Sequence, residues 1–283
     1  MTDRSPTETT ADRTESRSTG TESTDADSLE RDADNPPAAN DPAIVARGLT
    51  KRYGSTTAVD GLDLEIDAGT IYGFLGPNGA GKTTTIRMLA SLTPPTEGAG
   101  RVAGVPITDR ERLVDHIGYL PESPPIHEEL TAREQLEYHG GLRGMDPAAI
   151  DDRIDALLER FDLADDADDR IVTYSKGMRQ KTGLIQAIMH DPDVVFLDEP
   201  TGGLDPRATR TVREVLTELA DEGTTVFLST HVLPVVEQVA TEVGILYDGT
   251  LVESGPPDEL IERLEHGADS TLEDVFLEVT TDE

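Results

Sequence analysis

The distribution of apolar and polar residues divides the chain into a polar N-terminal segment and a longer region of alternating secondary structure. Residues 1–40 are rich in Thr, Ser, Asp and Glu and contain almost no large apolar side chains. Such a segment buries too little surface to offset the entropy of ordering its backbone. The pattern therefore predicts a disordered acidic tail over residues 1–40 and a folded domain over residues 41–283.

Alternating and continuous apolar runs predict the strands of the folded region. Residues 43–47 and 62–66 alternate like half-buried strands, whereas residues 70–75 form a continuous apolar run typical of a buried strand. Asp248-Gly249 predicts a hairpin into a strand at residues 250–253. Four further apolar runs have the length of strands: residues 118–120, 194–197, 224–228 and 243–247.

Apolar residues at helical spacing predict the helices. Residues 147–161 carry such a stripe, formed by Ile150, Ile154, Leu157, Leu158 and Phe161. Helices are also predicted at residues 82–90, 175–190 and 207–220, with Ser175 as the N-cap of the second. Because strands and helices alternate along the chain, we expect an α/β core with a largely parallel sheet.

A glycine-rich loop joins the strand at residues 70–75 to the helix at residues 82–90. It reads Gly76-Pro77-Asn78-Gly79-Ala80-Gly81-Lys82-Thr83-Thr84. Glycines let backbone N–H groups turn around phosphate oxygens, and the helix N-terminus adds its positive dipole end. Lys82 supplies a full positive charge to the β- and γ-phosphates, and the Thr83 hydroxyl suits Mg²⁺. The loop predicts a site for a nucleoside triphosphate with Mg²⁺.

The apolar run at residues 194–197 ends in two carboxylates. A buried strand here would bring Asp198 to Mg²⁺, directly or through a water molecule. Glu199 would then polarise an attacking water as a general base. An acidic pair alone is weak evidence, since Asp at a strand end also serves as an N-cap. Combined with the glycine-rich loop, the pair predicts a P-loop NTPase.

Further motifs narrow this prediction to one family. The chain has Tyr174-Ser175-Lys176-Gly177-Met178-Arg179-Gln180 before the acidic strand and Thr201-Gly202-Gly203-Leu204-Asp205 after it. The first resembles a variant of the ABC signature, with Lys176 for a Gly and Met178 for the usual Gln. The second resembles the D-loop of the same family, His231 its switch histidine, and Tyr53 the aromatic residue that stacks on adenine. From about residue 44 to 247, the chain resembles the ATP-binding subunits of ABC transporters.

The resemblance implies a fold and a mechanism. The fold would be a P-loop NTPase core with a mostly parallel sheet, an N-terminal antiparallel β subdomain and a helical subdomain at about residues 123–190 that carries the signature. Two chains would dimerise around ATP and Mg²⁺, with Ser175, Gly177 and Asp205 at the nucleotide. The implied catalytic residues are Lys82 and two that lie near the attacking water, Glu199 and His231.

One position departs from the family's pattern. Where the family usually has the Gln that senses Mg²⁺, this chain has Glu122. A carboxylate binds Mg²⁺ more strongly than an amide does, so the hypothesis is that Glu122 takes that role. The alternative is that its side chain points away and only the loop is retained. The predicted metal ligands are therefore Thr83, Glu122 and Asp198.

The form of the signature and residues 270–278 resemble the export-type branch, which includes drug, antibiotic and sodium efflux ATPases. No run of the chain approaches the roughly 20 apolar residues of a membrane span. We therefore expect a separate permease and a position on the cytoplasmic face of the membrane. Residues 123–144 would contact the permease, with a purely solvated face as the alternative for the polar helix start at residues 128–134. One alternative is a non-transport ABC ATPase acting on a ribosome or nucleic acid, which the single P-loop and lack of Cys disfavour. Another is a non-hydrolysing regulatory subunit, which the intact motifs disfavour.

Charge adds a constraint on partners and solvent. The chain has 57 acidic and 24 basic residues, a formal net charge of −33, of which only −6 falls in residues 1–40. This excess disfavours nucleic acid as a partner and favours adaptation to molar salt, with an ordinary acidic protein as the alternative. The chain has no Cys, which excludes disulfides and thiolate metal sites. It has only four Lys, and we expect Lys82, Lys176 and Lys181 to lie near the nucleotide.

Overall fold

A computed structural model describes residues 41–263 and 271–280, so the predicted acidic tail lies outside the described residues. One layer of this region is an antiparallel sheet with the strand order β2-β1-β4-β5. Its strands are β1 (Ile44–Tyr53), β2 (Thr56–Ile66), β4 (Glu97–Val102) and β5 (Val105–Pro106). This sheet is the antiparallel β subdomain that the resemblance implies, although the sequence pattern revealed only its first two strands.

A second sheet has the strand order β10-β9-β3-β8-β7-β6. Its strands are β3 (Ile71–Leu75), β6 (Ile117–Leu120), β7 (Val194–Asp198), β8 (Thr225–Thr230), β9 (Glu242–Tyr247) and β10 (Thr250–Gly255). Neighbouring strands are parallel except for β9 and β10, which form the predicted hairpin. Asp248 and Gly249 both have positive φ, as a type I′ turn requires.

Helices pack against the second sheet, and the four predicted from the sequence pattern are all present. They are α1 (Lys82–Leu89), α2 (Arg110–Leu113), α3 (Ala132–Leu142), α4 (Pro147–Arg160), α5 (Lys176–Ile188), α6 (Pro206–Asp221), α7 (Leu233–Val239), α8 (Pro257–Arg263) and α9 (Leu272–Thr280). The pattern did not predict α2, α7 and α8, which are at most seven residues long. The sequence does indicate where α3 starts, because Thr131 and Glu134 have the spacing of a capping box and form one in the structure.

The parallel sheet separates two apolar clusters. On one face, Val195 and Leu197 pack with α3 to α6, while on the other Val194 and Phe196 pack with α1 and the antiparallel sheet. This explains why β7 reads as a continuous apolar run, since both of its faces are buried. Because α3, α4 and α5 share one cluster with the sheet, the boundary of the helical subdomain at about residues 123–190 stays a prediction.

The expectation that Lys181 lies near the nucleotide is wrong. Its amine is buried, and Nζ donates a hydrogen bond of 2.7 Å to the carbonyl oxygen of Phe161, at the end of α4. Burial lowers the pKa of Lys181, against the opposing effect of nearby Asp162. Lys181 therefore links α5 to the end of α4 by a hydrogen bond, so its role in the described structure is structural.

Candidate active site

The glycine-rich loop wraps around the amine of Lys82. Nζ donates to the carbonyl oxygens of Gly76, at 2.6 Å, and Pro77, at 3.2 Å. Gly79 and Gly81 have φ values of 86° and 111°, in the left-handed region that suits glycine. A Cβ at Gly81 would also lie 2.3 Å from the carbonyl oxygen of Ala58. The loop therefore needs its glycines both for conformation and for close backbone approach.

Asp198 is held at the end of β7 by two hydroxyl groups. Thr83 Oγ1 donates to Oδ2 at 2.8 Å, and Ser229 Oγ donates to Oδ1 at 2.7 Å. Asp198 is nearly fully buried, so these two hydroxyl groups supply hydrogen bonds that water cannot. The structure thus brings Thr83 and Asp198 together, as the sequence predicted.

Glu199 follows at a turn with an unusual backbone. Its φ is 52°, which is uncommon for a residue with a side chain. Oε2 accepts a hydrogen bond of 3.1 Å from Thr230 Oγ1, and Oε1 lies 2.8 Å from Nδ1 of His231. The Glu199 side chain is largely buried, whereas His231 is more than half exposed. The predicted pair of Glu199 and His231 is therefore in direct contact.

These side chains line one cavity of about 280 Å³. Its wall includes the loop residues Asn78, Gly79, Gly81, Lys82, Thr83 and Thr84, together with Ala58, Glu122, Asp198, Glu199 and His231. Burial lowers the pKa of Lys82, while Glu199 and Asp198 act in the opposite direction and favour its charged form. The cavity combines an ammonium group, backbone amides, a hydroxyl and carboxylates, which are the groups that hold a triphosphate and a hard divalent cation.

Six predicted nucleotide contacts are not among the described residues that line this cavity: Gly76 and Ala80 of the glycine-rich loop, and Tyr53, Ser175, Gly177 and Asp205. Tyr53 is half exposed at the end of β1, with Lys51 Nζ 5.2 Å from its ring centroid. Ser175 is the N-cap of α5, as predicted, because its Oγ accepts a hydrogen bond of 3.2 Å from Met178 N. Asp205 caps α6 through a 2.8 Å bond from Ala208 N. Their nucleotide contacts stay predictions.

Sequence reasoning missed two residues of the site, Ser229 and Thr230. Both hydroxyls contact the acidic pair, yet both residues lie just beyond the strand predicted at residues 224–228, in an uncharged stretch without a motif. A signal was present, because they directly precede His231, and a residue beside a predicted site histidine at a strand end shares its edge of the sheet. The parallel pairing of Asp198 with Ser229 made the contact direct.

Comparison with known proteins agrees with this geometry. The chain matches the family model described as ABC transporter over residues 59–202. It is 41% identical over 230 residues to the daunorubicin resistance ATP-binding protein DrrA3 of Streptomyces coeruleorubidus, covering 81% of this chain and 72% of that protein. It is 40% identical over 217 residues to the bacitracin transport ATP-binding protein BcrA of Bacillus licheniformis, covering 76% and 70%. A solved structure of an ATP-binding subunit of an ABC transporter superposes with a TM-score of 0.77 at 30% identity, covering 84% of this chain and 100% of that one.

The fold and the cavity define a P-loop ATPase. The chain belongs to the ABC transporter ATP-binding family, and it is an ATP-hydrolysing transporter subunit. The sequence prediction of family, fold and ATPase activity is confirmed, and the non-transport alternative is not favoured. Among residues 41–263 and 271–280, no helix has the length and apolar character of a membrane span.

Proposed function

We propose that this subunit powers an exporter by acting on a separate transmembrane permease at the cytoplasmic face of the membrane. The observation that carries the proposal is the convergence of Lys82, Thr83, Asp198, Glu199 and His231 in one cavity. Relatives named for daunorubicin resistance, bacitracin transport and Nod factor export support the export direction. The cargo would be chosen by the permease, so it is not part of the proposal.

The residues of the cavity have separate roles in hydrolysis. Bound ATP with Mg²⁺ would supply the phosphoryl group and the positive charge that neutralises it. Thr83 and Asp198 would hold the cation, and the Lys82 amine would exchange its bonds to Gly76 and Pro77 for phosphate oxygens. Glu199 would accept the proton of the attacking water, and His231 would orient that carboxylate.

The charge balance of the cavity supports a divalent cation. Its wall has three carboxylates, Asp198, Glu199 and Glu122, against one ammonium group. Without added positive charge, these carboxylates would repel a triphosphate of like sign. Thr83 and Asp198 offer hard oxygen ligands, as Mg²⁺ requires, and such sites take one or two carboxylates with substrate phosphates completing the shell.

Glu122 would act as a further ligand or hold a metal-bound water. If so, Glu122→Ala should raise the Mg²⁺ concentration for half-maximal ATPase activity by about fivefold or more, because a charged oxygen ligand is lost. Phosphate release measured across a Mg²⁺ titration checks this. Glu129→Ala removes an exposed carboxylate from the same loop and should leave the titration unchanged. If the midpoint of Glu122→Ala is unchanged, the Glu122 side chain takes no part in binding Mg²⁺, and only the loop itself is shared with the family.

A dimer around two nucleotides is supported by Gly177. Glycine in the first turn of a helix costs about 1 kcal/mol relative to Ala. Within one chain a Cβ there would meet Ala208 Cβ at 3.3 Å and nothing closer, so the packing of α5 against α6 gives only a mild reason for glycine. Close approach of a second chain's nucleotide to Ser175 and Gly177, at the N-terminus of α5, would give a stronger one.

A groove of about 220 Å³ would receive the permease. Its described wall includes Leu92, Val114 and Arg143 but no carboxylate, in a chain where a fifth of all residues are acidic. Burial lowers the pKa of its His139 to about 4, so at neutral pH the positive charge there comes from arginines. Pro125, three residues after Glu122, also lines the groove. One loop therefore reaches both the nucleotide cavity and this surface.

Exposed apolar side chains lie in the groove and next to its lining residues. Leu92 and Val114 lie in its wall, and the exposed Tyr138 and Leu142 of α3 each precede a lining residue, His139 and Arg143. Large apolar side chains that cluster at a surface mark an interaction site. An apolar helix of the permease, with polar groups that the arginines can contact, fits this surface.

Leu142→Asp should therefore detach the subunit from the membrane while leaving ATP binding intact. Leu142 is 68% exposed, so the change costs little folding stability but places a charge in the proposed interface. The measurement is the fraction of the subunit that is recovered with the membranes of its native cells rather than in the supernatant. Leu277→Asp, at a 52% exposed leucine of α9, is the matched control. Equal membrane retention of both variants would exclude the groove as the docking site.

A further inference from the structure

Three consecutive residues at the end of β8 contact two consecutive carboxylates at the end of β7. Ser229 donates to Asp198, and both Thr230 and His231 contact Glu199. We propose that Ser229 and Thr230 are positioning residues, and that Thr230 in particular fixes the Glu199 carboxylate for catalysis. The inference rests on the proposed role of Glu199 as the general base.

The backbone of Glu199 depends on β8 as well. Its N–H donates to the carbonyl oxygen of Ser229 at 2.9 Å, which extends the β7–β8 pairing by one residue. Beyond that bond the chain turns, with Glu199 at φ 52° and its carbonyl accepting from Gly202 N at 3.1 Å. At a left-handed backbone position the regular alternation of a strand no longer sets the direction of the side chain. Its direction must come from the groups that bind the carboxylate.

The Thr230 hydroxyl can act in only one way here. It accepts a hydrogen bond of 3.0 Å from the N–H of Val232 and therefore directs its single proton to Glu199 Oε2. The strand backbone and the Val232 bond fix the hydroxyl oxygen, and Thr230 is fully buried. Thr230 is thus a rigid donor aimed at one carboxylate oxygen, while lone pairs of both oxygens remain for a water molecule.

His231 holds the other oxygen but is much less constrained. Its side chain is 58% exposed, and the 2.8 Å approach of Nδ1 to Glu199 Oε1 is the one hydrogen bond that the structure gives its ring among the described residues. An exposed histidine with one hydrogen bond can leave the carboxylate when nucleotide or a second chain arrives. Thr230 would keep the Glu199 carboxylate oriented during that movement. Thr230 is therefore the fixed hydrogen-bond partner of Glu199, and His231 is the partner that can move.

Ser229 acts on Asp198 by the same logic. The hydroxyl is buried and donates to Oδ1, so Oδ2 is left to Thr83. The carboxylate plane is therefore fixed from β8 on one side and from the glycine-rich loop on the other. The pairing register of Asp198 with Ser229 and the following turn give each acid its own hydroxyl, so a register shift of one residue would separate both acids from these partners.

Thr230→Val tests the proposal, because valine keeps the shape of threonine and removes the donor. We expect its turnover number to fall about tenfold or more, while KM and the Kd of a fluorescent ATP analogue stay within about twofold. Thr230→Ser retains the hydroxyl and should recover turnover to within about threefold of the unaltered chain. Thr211→Val is the matched control, since it removes a buried hydroxyl that donates within α6 to Arg207 O.

A crystal structure of nucleotide-free Thr230→Val gives a readout that does not depend on activity. The Glu199 carboxylate should leave its present position or adopt more than one rotamer, and the unfolding midpoint reports any loss from the freed Val232 N–H. Combining Thr230→Val with His231→Ala should reduce turnover by less than the product of the single effects, because both residues hold one carboxylate. A merely structural Thr230 would shift the midpoint and leave turnover per folded protein unchanged.

Two results separate this inference from the proposed function. If Glu199→Gln retains full turnover, then Glu199 is not the base and the proposed mechanism fails first. If Glu199→Gln loses turnover but Thr230→Val keeps its turnover and the Glu199 position, then only the positioning role of Thr230 is overturned.

Discussion

Glu199→Gln is expected to lower the ATP turnover number by at least about 100-fold. General base catalysis contributes roughly 10²–10⁴-fold, and glutamine keeps the size of glutamate but cannot accept the proton of the attacking water. The amide also offers one acceptor oxygen where the carboxylate offers two to Thr230 and His231. Phosphate release under saturating ATP and Mg²⁺ measures the loss.

The same variant should accumulate ATP-bound dimers, because it binds nucleotide without consuming it. Its cavity keeps Lys82, Thr83 and Asp198, and it loses one negative charge facing the triphosphate. Light scattering coupled to size exclusion, with and without ATP, reports the mass. Glu159→Gln makes the same change of charge on an exposed face of α4 and should behave like the unaltered chain. Rapid turnover by Glu199→Gln would assign the base to another group.

Raising KCl from about 0.1 M to about 2 M should increase the thermal unfolding midpoint by at least about 10 °C. The formal net charge is −33, and excess charge of one sign destabilises a compact state through self-repulsion. The screening length falls from about 10 Å at 0.1 M to about 3 Å at 1 M, so neighbouring carboxylates stop repelling one another. For a domain of this size, 10 °C corresponds to roughly 3–5 kcal/mol.

A matched solute separates screening from general stabilisation. Sucrose at the same osmolality favours burial without screening charge, and we expect it to raise the midpoint much less than KCl does. Recovery of ATPase activity after transfer from dilute buffer to concentrated KCl would give a second reading. Full stability in dilute buffer would identify an ordinary acidic protein and remove the argument for adaptation to salt.

The sequence predicted the elements whose signal is local and long. The glycine-rich loop, α4 with its apolar stripe, and the fully buried strand β7 were all found, because each shows a clear period or motif. The strand β4 was missed because its sequence, Glu97–Val102, contains two glycines and begins with a charge. It forms a strand because β1 supplies its hydrogen bonds, which no local pattern reveals.

The amino-acid sequence by itself determined the chemistry of the site. Lys82, Thr83, Asp198, Glu199 and His231 lie in or beside runs whose residue types serve phosphate, cation and water, and the structure gathered all five in one cavity. Such runs can be read alone because the glycine turns, helix start and strand ends that present them are formed by neighbouring residues.

Only the tertiary structure decided which groups hold the acidic pair. Thr83 and Asp198 are 115 positions apart, and Asp198 and Ser229 are 31 apart, so only the packing of α1 on the sheet and the order of the strands make them neighbours. The same dependence on packing turned Lys181 from an expected nucleotide contact into a buried link between two helices. Side chains that act through distant partners carry no local signal, because their hydrogen bonds exist only once the strands have paired.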